Sequence, residues 1–234
     1  MCEFRAGRTR ASLDAAGERG DAESRYWRAR AAGELARAAF SRLDDLPDSL
    51  ERRSTRAARA RAEERHLDAI AELDAALAIA PGHPALTYDL AASCYAARDY
   101  ERAVTTLAPL VRAAPDDEKV LMLTGYSLLR LRRLAEAIPL LQRALERNST
   151  DPGPRLALGR AYVQNGNYTA AIPLIEPQLA GDDDGSLHVQ LARAYAGVGE
   201  QGKAAALLAA SVELQRAADE RAAASAHRAI TAPK

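Results

Sequence analysis

A small residue recurs at Ala69, Ala103, Ala137, Ala171 and Ala204, at steps of 34, 34, 34 and 33 residues. A period of that length restricts the chain to stacked copies of one small supersecondary unit, since such a unit cannot bury its apolar face alone and must cover its neighbour's. A second column keeps the same step: Leu90-Ala91, Thr124-Gly125, Leu158-Gly159 and Leu191-Ala192. Small side chains in both columns let two antiparallel helices approach closely. The larger residues four positions after each alanine, Leu73, Leu107, Leu141, Ile175 and Leu208, share its helical face and are expected to fill the space between hairpins. Turns are marked between units by Ala80 to Pro84, Ala114 to Asp117, Asn148 to Pro154 and Gly181 to Gly185, and within units by Asn165-Gly166-Asn167 and Gly197-Val198-Gly199.

Composition agrees with helices and not with sheets. Aromatic residues make up 5% of the chain and apolar residues 48%, with alanine dominant, which suits helices packed through small side chains. Lysine occurs only at Lys119, Lys203 and Lys234, and this bias toward arginine and alanine points to a GC-rich bacterial gene.

The run Leu158-Gly159-x-x-Tyr162, Gly166-Asn167-Tyr168, Ala171, Ile175 resembles the signature of the tetratricopeptide repeat family. Units 84–117, 118–151, 152–184 and 185–218 share the resemblance; 50–83 keeps its second half through Ala69, Leu73, Ala76 and Pro81. Departures are Ser149 where the family usually has proline, Cys94 and Leu128 in place of tyrosine, and Gln178 and Ser211 in an alanine column. The resemblance implies an all-α, right-handed superhelical solenoid of antiparallel helical hairpins whose first helices line a concave groove. On that face the sequence places Tyr88, Tyr95, Tyr126, Arg130, Arg160 and Arg193, with Met122, Leu129, Leu156, Val163 and Val189 among them. An extended peptide with apolar anchors and an acidic group would complement such a surface. The alternative for Tyr88, Tyr95 and Tyr126 is simple packing between hairpins. Chaperone-docking members of the family hold a terminal carboxylate with asparagine and lysine, and those residue types are missing from these positions.

Pro139 and Pro173 fall early in the second helices of adjacent units; in a first turn they are harmless, in a second each deletes a hydrogen bond. Pro109 and Pro177 lie deeper and are expected to kink their helices more. Residues 24–49, including Ser24, Trp27, Phe40 and Leu46, read as one long helix or a degenerate repeat, and 1–23 as a tail or partial repeat, since Cys2 to Ser12 resembles the middle of a hairpin. On the partial-repeat reading the chain begins inside a repeat, and on the other reading 1–23 is a frayed tail. After Leu214 the sequence becomes polar and alanine-rich, predicting a capping helix over 219–234 that frays into a tail from Thr231 to Lys234.

The balance of 32 basic and 32 acidic residues supplies no field for nucleic acid or a charged membrane. Arg52, Arg56 and Arg59 share a face, yet Glu51, Glu63 and Glu64 dilute it, and a salt-bridged surface is expected. Cys2 and Cys94 cannot form a disulfide framework or metal knuckle, and Cys94 reads as buried. His66, His83, His188 and His227 stand in different units and read as exposed; Asp182-Asp183-Asp184-Gly185 reads as a solvated turn. No cofactor, metal or catalytic constellation is expected. The reading is a non-enzymatic scaffold for another protein or extended peptide. Its alternative is a self-assembling solenoid, or part of a longer protein whose other region carries the activity. No membrane insertion is expected; the compartment is cytoplasmic as written, or periplasmic or envelope-associated if an upstream leader exists.

Overall fold

A computed structural model describes residues 25–26, 28–35, 47–148 and 151–231. The expectations for Cys2 to Ser12, Trp27, Phe40 and Leu46 lie outside the described residues, as do those for Ser149 and residues 232–234. Every regular element among the described residues is helical. The chain divides into two compact units, 1–82 and 83–234.

In the first unit, residues 28–35 are helical, followed by the hairpin α1 (Leu50–Ala62) and α2 (His66–Ile79). Ser49 starts α1, its hydroxyl accepting the Arg52 N–H at 3.2 Å. Ala57 and Ala60 on α1 are buried, as are Ala69, Ile70, Leu73 and Ala76 on α2. The expected salt-bridged face is present: Arg53 and Arg56 both reach Glu72, at 2.8 and 3.0 Å, while Arg59 and Arg65 pair with Glu63.

The second unit holds four hairpins in chain order: α3 (Pro84–Ala96) with α4 (Tyr100–Ala113), α5 (Glu118–Arg130) with α6 (Leu134–Arg147), α7 (Pro152–Gln164) with α8 (Tyr168–Ile175), and α9 (Ser186–Gly197) with α10 (Gln201–Thr231). Each helix packs against the next in sequence. Starts are sharply defined: the side chains of His83, Asp99, Asp117, Asp151 and Asn167 each accept a backbone N–H from the first turn, and Pro84 and Pro152 occupy early positions where no N–H is needed. Within every hairpin the turn carries one left-handed residue at the same point of the period: Glu64, Arg98, Arg132, Gly166 and Gly199.

The two small-residue columns explain the close approach. A methyl group added at Gly125 would lie 2.5 Å from Leu141 Cδ2, and one at Gly159 2.7 Å from Ile175 Cγ1. Leu73, Leu107, Leu141 and Ile175 are fully buried, Leu107 meeting Val120 of the following hairpin and Ile175 meeting Leu187 and Leu191. Leu208 departs from the expectation. It is 48% exposed, since among the described residues no helix covers that face of α10.

The prolines resolve as second-turn residues: Pro139 and Pro173 are each the sixth residue of their helix, leaving the carbonyls of Ala135 and Thr169 without an N–H four residues on. The strongest effect comes where Pro177 follows Pro173 by four. Two bonds along one side of the helix are then lost, α8 stops after eight residues, and Glu176–Gly181 continues as a 3-10 helix. Pro109 sits inside α4, which continues to Ala113. At the far end α10 remains helical through Thr231, the first residue of the expected tail.

Candidate functional site

The first helices α3, α5, α7 and α9 are neighbours, α3 touching α5, α5 touching α7, and α7 touching α9. Tyr126, Arg160 and Arg193 occupy one equivalent position, stepping by 34 and 33 residues, so their side chains leave successive helices from the same face.

Around that row the chain gathers a cluster of aromatic and cationic groups. Tyr95 meets Tyr100 edge to face with ring centroids 5.4 Å apart. Arg130 reaches across from the next hairpin, its Nε donating to the Tyr100 hydroxyl at 3.1 Å and its guanidinium lying 5.4 Å from the ring centre. Tyr126 is half-buried and donates its hydroxyl proton to the Gly153 carbonyl at 3.4 Å. Burial pushes the phenols of Tyr95 and Tyr126 above their ordinary values, opposed by Arg130 beside Tyr95 and by Arg160 beside Tyr126. Both are therefore neutral donors at physiological pH. Arg160 is half-buried, and its Nε is fully enclosed with no hydrogen-bond acceptor.

The other candidate residues separate from this cluster. Tyr88 packs against Ala91, Leu107 and Val120, between hairpins. Arg193 is exposed. Leu129 and Val163, placed on the groove by their helical phase, are buried in the core, so neither presents a surface to a ligand. Tyr100 escapes a search confined to first helices because it starts a second helix. Its signal is present in the sequence all the same: it stands two periods ahead of Tyr168, whose ring packs so closely on Gly197 that a methyl there would lie 2.1 Å from it. Arg130 occupies the position equivalent to Gly197 and stacks where glycine makes room.

Two polar readings need correction. His188 is half-buried, and its Nδ1 lies 2.6 Å from Oδ2 of Asp182, whose side chain is only 2% exposed. The same oxygen accepts the backbone N–H groups of Leu187 and His188 at 3.0 Å. Asp182 is thus a cap for α9, made possible by Gly185, which turns the chain at φ +78°. Burial opposes its charge, but the bonds from His188 and Leu187 hold its carboxyl below the ordinary carboxylate value. Cys94 is buried, as expected. Among the described residues no group of three His, Cys, Asp or Glu could hold a metal ion, and no helix is long and apolar enough to cross a membrane.

The sequence profile of the tetratricopeptide repeat matches residues 60–125 and 128–187, more than half of the chain. The chain belongs to the tetratricopeptide repeat family. Solved structures of family members are similar. MamA from Desulfovibrio magneticus RS-1 is 19% identical, with a TM-score of 0.65 over 73% of this chain and 97% of its own. YrrB, described as a TPR protein with an unusual peptide-binding site, is 20% identical, with a TM-score of 0.62 over 76% and 93%. TTC0263, a thermophilic TPR protein of Thermus thermophilus, is 21% identical, with a TM-score of 0.53 over 71% and 91%. At such identities the likeness shows the fold, a solenoid of tetratricopeptide repeats. No curated protein sequence matches this chain significantly.

Proposed function

We propose that the chain is a non-enzymatic scaffold that holds a segment of another protein on the face formed by α3, α5, α7 and α9. The observation that carries this reading is the convergence of Tyr95, Tyr126, Arg130 and Arg160, from three neighbouring first helices, on one partly open surface. Half-buried tyrosines offer rigid apolar area with a polar tip, and arginine adds forked donors, the residue types that dominate protein recognition. The peptide-binding site for which YrrB is described agrees with this use of the architecture. The units 50–83, 84–117, 118–151, 152–184 and 185–218 serve as the supporting repeats, with 219–234 as cap and tail.

The test is affinity capture from lysate of the source cell with the intact chain beside a Tyr126→Ala, Arg160→Ala double variant that keeps its helical circular dichroism. A partner captured by the first and lost by the second supports the reading; a partner retained by both removes the groove assignment. A second reading, self-association, is favoured by Leu208 and Val212, which are 48% and 63% exposed one turn apart on α10. Light scattering that rises in mass with concentration, and stays flat for Leu208→Ser, Val212→Ser, supports it.

A further inference from the structure

Arg160 combines two features that set it apart on this face: its Nε–H is sealed from water, and no acceptor reaches it. A donor sealed from water is sealed from a ligand too, so what this half-buried guanidinium offers a partner is its outer Nη groups, a fork suited to a carboxylate. The neighbouring Tyr126 hydroxyl is committed, donating to the Gly153 carbonyl. Arg193 repeats the Arg160 position one hairpin on, exposed.

We infer that this row reads an extended acidic segment of a partner, with one carboxylate side chain on Arg160, a second on Arg193, and an apolar residue on Tyr126 and Tyr95. The inference rests on the groove reading above and gives it a register. Touching helices lie about 8–10 Å apart, and a chain in the polyproline II conformation advances about 3.1 Å per residue with three residues per turn, so every third side chain points the same way. Successive hairpins therefore meet every third residue of the ligand. The recognised pattern is an apolar residue, two spacers, an acidic residue, two spacers, and a second acidic residue, in one of the two chain directions. Recognition falls on internal side chains, because Arg160 and Arg193 are separated by a full hairpin and a terminal carboxylate reaches only one of them.

Fluorescence anisotropy tests this with the full chain and labelled heptapeptides, acetylated and amidated: leucine at position one and glutamate at four and seven, the same sequence reversed, and both with glutamine for glutamate. One glutamate peptide binds at least about tenfold tighter than its glutamine form, as a charge-assisted pair requires. Arg160→Gln abolishes that preference, and Arg193→Gln removes only the contribution of the distal glutamate. Moving that glutamate from position seven to six weakens binding to the level of Arg193→Gln. Equal binding of glutamate and glutamine peptides, both weakened by Tyr126→Ala, overturns the acidic register and leaves the groove reading standing. Tighter binding of a glutamine peptide with a free C-terminal carboxylate overturns it in favour of terminus recognition. No binding of any glutamate peptide also overturns it, while the scaffold reading is then judged by the capture experiment alone.

Discussion

The α5/α6 hairpin and the α9/α10 hairpin carry the same columns of residues and are held in different ways. Leu141 on α6 sits in the notch left by Gly125 and is closed over on its other side by α7, in a cluster with Ala157 and Leu158. Leu208, the equivalent residue of α10, has Ala192 at the position of Gly125 and, among the described residues, no later hairpin above it. What the last hairpin lacks in packing it recovers at its base. Asp182 ties the first turn of α9, Arg221 donates to the Asp183 carbonyl at 2.7 Å, and Gly185 lets the Ser211 backbone come so near that a methyl would lie 2.6 Å from its oxygen. In a stacked array an apolar residue gains its worth from the next repeat. The last described hairpin accordingly carries polar ties of its own.

The largest expected effect lies in the interior hairpin. Leu141→Ala should lower unfolding stability by about 3–5 kcal/mol in urea, since a fully buried leucine leaves a cavity that two helices cannot both close. Gly125→Ala forces its methyl onto Leu141 and should lose about 1–3 kcal/mol, even though alanine is the better helix former. The double variant should lose less than the sum, and strict additivity would show that the notch is not where the two helices meet. Asp182→Asn should destabilise the last hairpin by about 1 kcal/mol at neutral pH. Because the folded carboxyl of Asp182 titrates below its unfolded value near 3.9, its contribution is full above that pH and is lost as the pH falls through the folded value. The deficit of the asparagine variant should accordingly close on acidification, read by thermal melts from about pH 7 to about pH 3. Leu208→Ala should change stability least, by under about 1 kcal/mol. A loss matching that of Leu141→Ala would mean that another surface covers it.

Periodicity makes the fold legible because each column is a steric requirement: Gly125 and Gly159 must be small for Leu141 and Ile175 to enter. The face of a helix is legible in the same way, but depth is not. Leu129 and Val163 have the helical phase of groove residues and yet are buried, since phase fixes direction while the neighbouring hairpin decides coverage. Leu208 departs in the opposite sense, for want of a neighbour. Asp182 reads in sequence as one of three solvated aspartates because its role depends on where α9 begins and on the Gly185 turn that brings Leu187 and His188 back to it. The contact between Arg130 and Tyr100 spans 30 residues and joins the end of one helix to the start of another, a pairing no single-helix pattern displays.

The left-handed residue in each hairpin turn has a consequence for how this chain changes over time. Two of the five are glycines; Glu64, Arg98 and Arg132 hold the same backbone conformation with full side chains, at an intrinsic disadvantage of about 1 kcal/mol each. The bend is therefore dictated by the two helices it joins, not by the residue inside it. Such a position acts as a hinge pin whose chemistry is free to drift while its angle is inherited. Each copied repeat can thus acquire its own charge at that corner without disturbing the alignment of the copies on either side.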